Sequence, residues 1–327
     1  MKHSSPLCVS RRAVVMASAM LATGVRAQGN SRPVRIIVAF AAGSGNDLTA
    51  RDLARYMAEI LNQPVIVENR PGAGGSIGTE AVARAAPDGL TIGLGTSSQL
   101  VMNVGVYKTL PFDVDKDLRL VGLVSSRGMV LAGKMAGPQT LKALIAEAKA
   151  RPNQLSYGSA GMGSISHIVG EAFAKAADIK INHVPYKGNS LAMGDLAGGH
   201  VDMVFDALAS SQPLARQGRA RLIAMSGARR NPAAPDLATF AEQGLSGYEA
   251  YTWNCLFAPI HTPADAMERL NGALNKALAV TKLHDRLVNE FGSEVLAPST
   301  PAQADAFGRR ERERWVPFIR SLKLAES

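Results

Sequence analysis

The sequence has 327 residues, with 36 lysines and arginines against 27 aspartates and glutamates, and its formal net charge is +9 at pH 7. This length allows one large domain or two medium ones. The basic residues are scattered and do not form the concentrated stripe with stacking aromatics that nucleic-acid binding requires. We therefore expect no nucleic-acid partner, whereas a modest positive field suits an anionic small molecule.

The chain begins with the pattern of a secretory signal peptide. Arg11 and Arg12 precede a short apolar run over residues 13–25, and a Val-x-Ala cleavage pattern ends at Ala27. The run is too short to span a bilayer, and no later run is long enough to embed the protein in one. The twin arginines also resemble a twin-arginine export signal. We expect residues 1–27 to be removed during export by one of these two routes.

Strand and helix patterns then alternate along the chain. A buried-type strand at 34–40 is followed by apolar residues at three- and four-residue spacing, which predict a helix over 47–61. The other predicted strands lie at 65–68, 90–95, 120–124, 129–132, 155–158, 179–184, 201–205 and 221–226. The other predicted helices lie at 76–86, 141–150, 164–177, 190–197 and 210–217. Such alternation favours parallel sheets covered by helices.

So many strands exceed one small sheet, and we therefore predict two α/β lobes. The chain would cross between them near residues 125–128 and 247–251. This assigns residues 28–126 and 251–327 to lobe 1 and residues 127–250 to lobe 2. Two crossings leave a cleft between the lobes that can open and close on a ligand.

Two helices near the end of the chain share a start signal. Thr262-Pro263 and Thr300-Pro301 each predict a Thr at the N-cap with Pro at the first helical position. The third helical residue in each case, Asp265 or Gln303, can close a capping box.

Two glycine-rich loops lie between a predicted strand and a helix start. Residues 43–47 read Gly-Ser-Gly-Asn-Asp, and residues 158–167 read Gly-Ser-Ala-Gly-Met-Gly-Ser-Ile-Ser-His. Neither loop has the spacing of a phosphate-binding loop, a dinucleotide fingerprint or a nucleophile elbow. Free backbone N–H groups and the positive end of the helix dipole make such a loop an anion site. Two of these loops facing each other across a cleft would hold an anion between them.

Cysteine and histidine usage gives no support for disulfide or metal chemistry. Cys8 leaves with the signal, so Cys255 has no intramolecular partner, and its apolar surroundings predict a buried thiol. The histidines show no metal-ligand spacing, and we expect no metal and no cofactor. An alternative from another class is a secreted α/β hydrolase or isomerase that uses Ser164 and His167.

The chain resembles the substrate-binding proteins of tripartite tricarboxylate transporters, the Bug-type receptors. The resemblance rests on "QPVIVENRPGAGG", "AAPDGLT", "GMGSISH", "HVPYKG", "GGHVDMVFD" and "GYEAYTW", in the order of that family and over essentially the whole mature chain. It implies a type II periplasmic binding protein fold, with two α/β lobes and a ligand cleft between them. It further implies a monomeric periplasmic receptor, not an enzyme, which captures a small carboxylate and delivers it to the membrane subunits of the transporter.

The resemblance also implies which residues bind the ligand. In such receptors two loops act as pincers on one carboxylate, through backbone, hydroxyl and water-mediated hydrogen bonds. Carried over to this sequence, the first loop contributes Gly43, Ser44, Gly45 and Asp47. The second loop contributes Ser159, Gly163, Ser164 and His167. The rest of the site would be lined by Thr96, Ser97, Tyr186, Lys187 and Asp206.

Some positions depart from the family pattern. The first loop begins Ala41-Ala42 where Pro-Pro is common, and Ala207-Leu208-Ala209 replaces an Asn-Leu-Pro type run. Asp47 also fits the role of a helix N-cap as well as that of a ligand contact. A sensory receptor that signals to a membrane partner would carry the same sequence features, so both roles stay open at this point.

Overall fold

The computed structural model describes residues 32–324, so the expected signal peptide lies outside the described residues. The strands are β1 (Val34–Val38), β2 (Val65–Asn69), β3 (Thr91–Thr96), β4 (Leu118–Gly128), β5 (Val130–Gly133), β6 (Ser156–Ser159), β7 (Asn182–Pro185), β8 (Met203–Asp206), β9 (Arg221–Met225), β10 (Tyr251–Pro259) and β11 (Glu294–Val295). The α-helices are α1 (Gly45–Leu61), α2 (Ser76–Ala83), α3 (Asn103–Val106), α4 (Val114–Asp117), α5 (Leu141–Ala150), α6 (Ile165–Ala177), α7 (Asn189–Gly198), α8 (Leu208–Arg216), α9 (Ala264–Leu278), α10 (Thr281–Asp285) and α11 (Pro301–Ser321). Among residues 32–324, no helix combines the length and apolar character that a membrane span requires.

The first sheet has six strands in the order β11-β4-β10-β3-β1-β2. β1 runs parallel to β2 and β3, whereas β10 runs antiparallel to both β3 and β4. The expectation of wholly parallel sheets was therefore wrong. β4 leaves this sheet and β10 returns to it beside β4, so the two strands have opposite directions.

The second sheet has five strands in the order β7-β6-β8-β5-β9. β6 pairs in parallel with β7 and β8, and β5 pairs antiparallel with β8 and β9. Parallel βαβ units therefore form one half of this sheet, and α6 and α7 begin directly beyond the carboxyl ends of β6 and β7.

Two chain segments connect the sheets and are hydrogen-bonded to each other. The Met129 amide donates to Ser226 Oγ at 2.8 Å, and the Ser226 amide donates to the Met129 carbonyl, also at 2.8 Å. The Ala250 amide donates to the Ser226 carbonyl at 2.9 Å. A Cβ added to Gly128 would lie 2.6 Å from the Gly227 nitrogen, so only glycine permits this backbone approach. We call these five residues the junction.

Each sheet has apolar side chains packed against its helices. On the first sheet, Leu53 and Met57 of α1 and Leu274 of α9 belong to one buried cluster with strand residues of β1 and β3. On the second sheet, Phe173 of α6 packs against three further aromatic rings. Cys255 is fully buried, so the prediction of a buried thiol is confirmed, and burial raises its pKa.

The two predicted helix starts near the end of the chain had different outcomes. Thr300 caps α11 and forms the full capping box with Gln303, as predicted. The prediction at Thr262 was wrong, because α9 begins at Ala264 and Pro263 occupies the cap position in an extended conformation. The Thr262 hydroxyl is buried without a hydrogen-bond partner in the part of the chain described.

Candidate functional site

A cavity of about 240 Å³ lies where segments from both sheets converge. This volume exceeds that of a single bound water and suits a small ligand. We call it the intersheet cavity. Its lining consists of Phe40, Asn46, Thr96, Ser97, Ser98, Arg127, Gly128, Met129, Ile165, Asn189, Asp206, Ala207, Thr252, Trp253 and Asn254.

A larger cavity of about 550 Å³ is lined by Gly128 and Gly227 of the junction and by further residues within 225–232 and 284–296. It shares Arg127 and Gly128 with the intersheet cavity. Neither glycine-rich loop contributes to it. We therefore take the smaller cavity, which both loops border, as the candidate site.

The first glycine-rich loop is closed by its own side chains. Ser44 is the N-cap of α1, and its hydroxyl accepts a hydrogen bond from the Asp47 amide at 3.3 Å. The Asp47 carboxylate in turn accepts from the Gly43 amide at 2.8 Å. Asp47 is only 2% exposed. The N-cap is thus Ser44, and Asp47 braces the loop from the third helical position.

The Asp47 carboxylate is held in its charged form. Burial alone would raise its pKa, but hydrogen bonds from Arg51, the Gly43 amide and Asn69 outweigh this and lower the pKa below its ordinary value. The Arg51 guanidinium lies 3.0 Å from the carboxylate. The loop geometry therefore persists at neutral pH.

The second glycine-rich loop repeats this arrangement. Ser164 is the N-cap of α6, and its hydroxyl accepts from the His167 amide at 3.3 Å. His167 Nδ1 accepts from the Gly163 amide at 3.0 Å. A neutral imidazole thus has the position that the Asp47 carboxylate has in the first loop.

Each loop leaves two backbone amides available. Within residues 32–324, the amides of Gly45 and Asn46 and those of Ile165 and Ser166 have no protein acceptor, as expected for the first residues of a helix. Asn46 and Ile165 line the intersheet cavity. The cavity is therefore bordered by two helix N-termini, both of which favour negative charge.

Ser164 and His167, the pair that the alternative enzymatic interpretation requires, do not form a catalytic dyad. Their only contact given by the structure joins the Ser164 hydroxyl to the His167 backbone. The serine hydroxyl that is hydrogen-bonded to an imidazole is instead that of Ser159, which lies 2.6 Å from His183 Nε2. The His183 ring stacks on the His167 ring with centroids 3.9 Å apart, and burial and His167 lower the pKa of His183 to about 4.

Three of the other predicted residues line the intersheet cavity. The Thr96 hydroxyl is engaged with the Gln99 side chain at 3.0 Å, whereas the Ser97 hydroxyl is buried without a partner among the described residues. The Asp206 carboxylate accepts hydrogen bonds from Asn189 and Ser210, both at 2.6 Å.

The other ten of the thirteen predicted residues are not part of the lining: Gly43, Ser44, Gly45, Asp47, Ser159, Gly163, Ser164, His167, Tyr186 and Lys187. The eight loop residues among them border the cavity only through their neighbours Asn46 and Ile165. The Tyr186 hydroxyl donates to Asp195 at 2.6 Å, and burial raises the pKa of Tyr186 to about 12. Lys187 is exposed. The structure does not bring either residue to the intersheet cavity.

The lining also contains polar residues that the sequence analysis missed. Asn254 Nδ2 donates to Asn46 Oδ1 at 3.0 Å, and Asn189 anchors Asp206. Arg127 lies within the first predicted crossing, at residues 125–128, and no sequence motif marks it as a ligand contact. The sequence feature that could have identified it is a single arginine between two apolar strand patterns.

Replacing Ser164 tests the cap. We expect Ser164→Ala to lower the free energy of unfolding by about 1 kcal/mol, because the His167 amide loses its acceptor. Ser190→Ala, at an exposed position in α7, is the matched control and should leave stability within about 0.5 kcal/mol. Urea denaturation of both variants measures the difference, and equal effects would argue against the cap.

Comparisons with known proteins agree with this architecture. A family model described as "Tripartite tricarboxylate transporter family receptor" matches residues 49–324. A UPF0065 protein from the tcbD-tcbE intergenic region of a Pseudomonas species is 36% identical over 324 residues, which cover 97% of this chain and 96% of that protein. Protein BugT of Bordetella pertussis is 34% identical over 295 residues, which are 89% of each chain.

Solved structures give the same result. The periplasmic binding protein BugD is 32% identical, with a TM-score of 0.74 over 90% of this chain and 98% of its own. MatC of Rhodopseudomonas palustris, with bound malate, is 30% identical, with a TM-score of 0.74 over 88% and 99%. The R. palustris protein Rpa4515, with adipate, is 31% identical, with a TM-score of 0.77 over 90% and 98%. The predicted periplasmic-binding-protein fold is confirmed.

Proposed function

This chain belongs to the tripartite tricarboxylate transporter receptor family, whose members are solute-binding proteins, and from that premise we propose that it captures a small carboxylate in the intersheet cavity. It then delivers this ligand to the membrane subunits of a tripartite tricarboxylate-type transporter. Removal of residues 1–27 and a monomeric state in the periplasm belong to the same proposal.

The observation that carries the proposal is the pair of braced helix N-termini at one cavity. The amides at the start of α1 and α6 have no protein acceptor in the described chain, and residues of both helices line the cavity. A carboxylate can accept hydrogen bonds from both sets and is stabilised by both helix dipoles. In this proposal the loop side chains of Asp47, Ser164 and His167 hold the amides in place.

The ligands of related proteins support a carboxylate. MatC was solved with malate and Rpa4515 with adipate, and both share about a third of their residues with this chain. We further propose that residues 28–126 and 251–327 form one lobe, that residues 127–250 form the other, and that the lobes close on the ligand.

A panel of mono-, di- and tricarboxylates tests the function. We expect at least one of them to raise stability by about 2.7 kcal/mol at a hundredfold excess over Kd. The ligand's neutral amide should give no such shift, and EDTA should change nothing. Thermal unfolding and calorimetry measure this, and scattering on the same samples should show a smaller radius of gyration with ligand.

Three outcomes would contradict the proposal. The first is a panel without a binding carboxylate, and the second is binding that disappears with the chelator. The third is a chemically changed ligand after long incubation, detected by mass spectrometry, because a receptor must return its ligand intact.

A further inference from the structure

Arg127 lies at the entrance to the junction. It is the second-last residue of β4, opposite Thr252 of β10, and it precedes Gly128 of the junction. Both Arg127 and Thr252 line the intersheet cavity. Arg127 is half-buried, so its charge is only partly solvated.

The Arg127 guanidinium has no partner in the described part of the chain. No hydrogen bond, ion pair or ring contact within residues 32–324 engages its five N–H donors. The only other charged side chain of the intersheet cavity, Asp206, is engaged with Asn189 and Ser210 instead. Two acids line the neighbouring cavity: Glu294 pairs with Arg229 at 3.8 Å, and no ion pair among the described residues joins Glu249 to Arg127.

A half-buried cation without a counter-charge is costly to maintain. Burial lowers the pKa of Arg127, yet a guanidinium remains protonated in proteins. Its planar fork matches a carboxylate, with which it forms two parallel hydrogen bonds. The missing partner of the Arg127 guanidinium is therefore an anion. The cavity that Arg127 borders is the proposed ligand site.

A second unpartnered group lies in the same cavity. Ser97 follows β3, is 1% exposed, and its hydroxyl has no partner among the described residues. β3 and β4 lie on either side of β10, so their backbones are separated by roughly two strand spacings, about 10 Å. The cavity thus offers donors at two separated places in addition to the helix amides.

We propose that Arg127 is a specificity-determining residue, which pairs with the second carboxylate of a dicarboxylate ligand while the amides of the two glycine-rich loops hold the first. This inference rests on the proposed receptor function. It narrows the ligand class to compounds with two anionic groups.

The test compares ligands of equal length that differ in one charge. Adipate and its monomethyl ester form one pair, and succinate and its monomethyl ester form another. Calorimetry would give the affinities of the wild-type protein, Arg127→Gln, Arg127→Lys and a control, Arg310→Gln, which removes an exposed cation of α11. We expect the wild type to prefer at least one dicarboxylate about tenfold or more over its ester.

The variants should then differ in their affinity for the dicarboxylate relative to its ester. Arg127→Gln should weaken binding of that dicarboxylate about tenfold to a hundredfold and leave its ester within about twofold. Arg127→Lys keeps the charge but loses the fork, so it should retain part of the preference. Arg310→Gln should behave as the wild type.

Each of the remaining outcomes leads to a different conclusion. Equal losses for diacid and ester, or an unchanged preference, would overturn the role of Arg127 and leave the receptor function intact. If Arg127→Gln does not fold, Arg127→Lys decides by the same ratio. Absence of binding to both diacids would overturn this inference, whereas the proposed function itself would be overturned only if the whole carboxylate panel failed to bind.

Discussion

We expect Phe173→Ala to lower the free energy of unfolding by about 3–5 kcal/mol, since the change leaves a cavity in a fully buried aromatic cluster. The Phe173 ring lies 5.5 Å from that of Phe240, 5.8 Å from that of Phe205 and 5.9 Å from that of Tyr248, measured between centroids. Phe173 lies on α6, which begins with the second glycine-rich loop. Urea denaturation measures the loss.

Phe318→Ala is the matched control for this change. Phe318 is partly buried on α11 and contacts the Trp315 ring at its edge, 6.2 Å between centroids. We expect a smaller loss there, because water can fill much of the space. A loss below about 1 kcal/mol for Phe173→Ala would show that the cluster contributes little to the second sheet.

Acidification should destabilise the protein through His183. Its pKa is about 4 in the folded chain, against an ordinary value of 6.5. As the pH falls from 6.5 to about 4, the unfolded chain binds a proton that the folded chain does not, so stability is lost over this range. The full change in pKa corresponds to about 3.4 kcal/mol, and solvent screening of the partly exposed ring reduces this to about 2–3 kcal/mol.

The surroundings of His183 explain why the folded chain resists the proton. The rings of His167 and Tyr157 stack near it, at 3.9 and 4.9 Å between centroids, and the Ser159 hydroxyl occupies its Nε2. The acid that lies beside these histidines is Glu171, 3.8 Å from His167 Nε2. Burial lowers the pKa of His167, and the negative charge of Glu171 partly offsets this effect.

The measurement is urea denaturation at pH 7 and pH 4. The loss of stability between the two should be about 2–3 kcal/mol smaller in His183→Asn than in the wild type. His261→Asn removes an exposed histidine outside this cluster and is the control, in which we expect the same loss as in the wild type. Equal losses in the wild type and His183→Asn would show that His183 titrates normally in the folded chain.

Local sequence patterns predicted most helices and strands, because their signals lie within each element. The sequence pattern predicted α5 at its observed bounds of Leu141–Ala150. Strand direction does not have a local signal. The antiparallel course of β10 depends on where the chain re-enters the first sheet, so the parallel interpretation failed there.

The site shows the same division. Gly-Ser before a helix predicted both amide-bearing loops, since capping chemistry acts over a few residues. The roles of Asp47 and His167 as braces depend on side-chain direction within the loop. The position of Arg127 depends on how two sheets meet, which no spacing along the chain encodes.

The hydrogen bonds of Ser226 also determine where a rotation between the sheets would have its axis. Any rotation that keeps its bonds to Met129 and Ala250 must pivot close to this residue. Atoms beside a pivot hold their positions, so Arg127, two residues from Met129, would present the same geometry before and after closure. The helix N-termini of α1 and α6 follow different sheets and would approach each other only as the rotation proceeds. In the proposed closure, a ligand would therefore be anchored at Arg127 before it is enclosed.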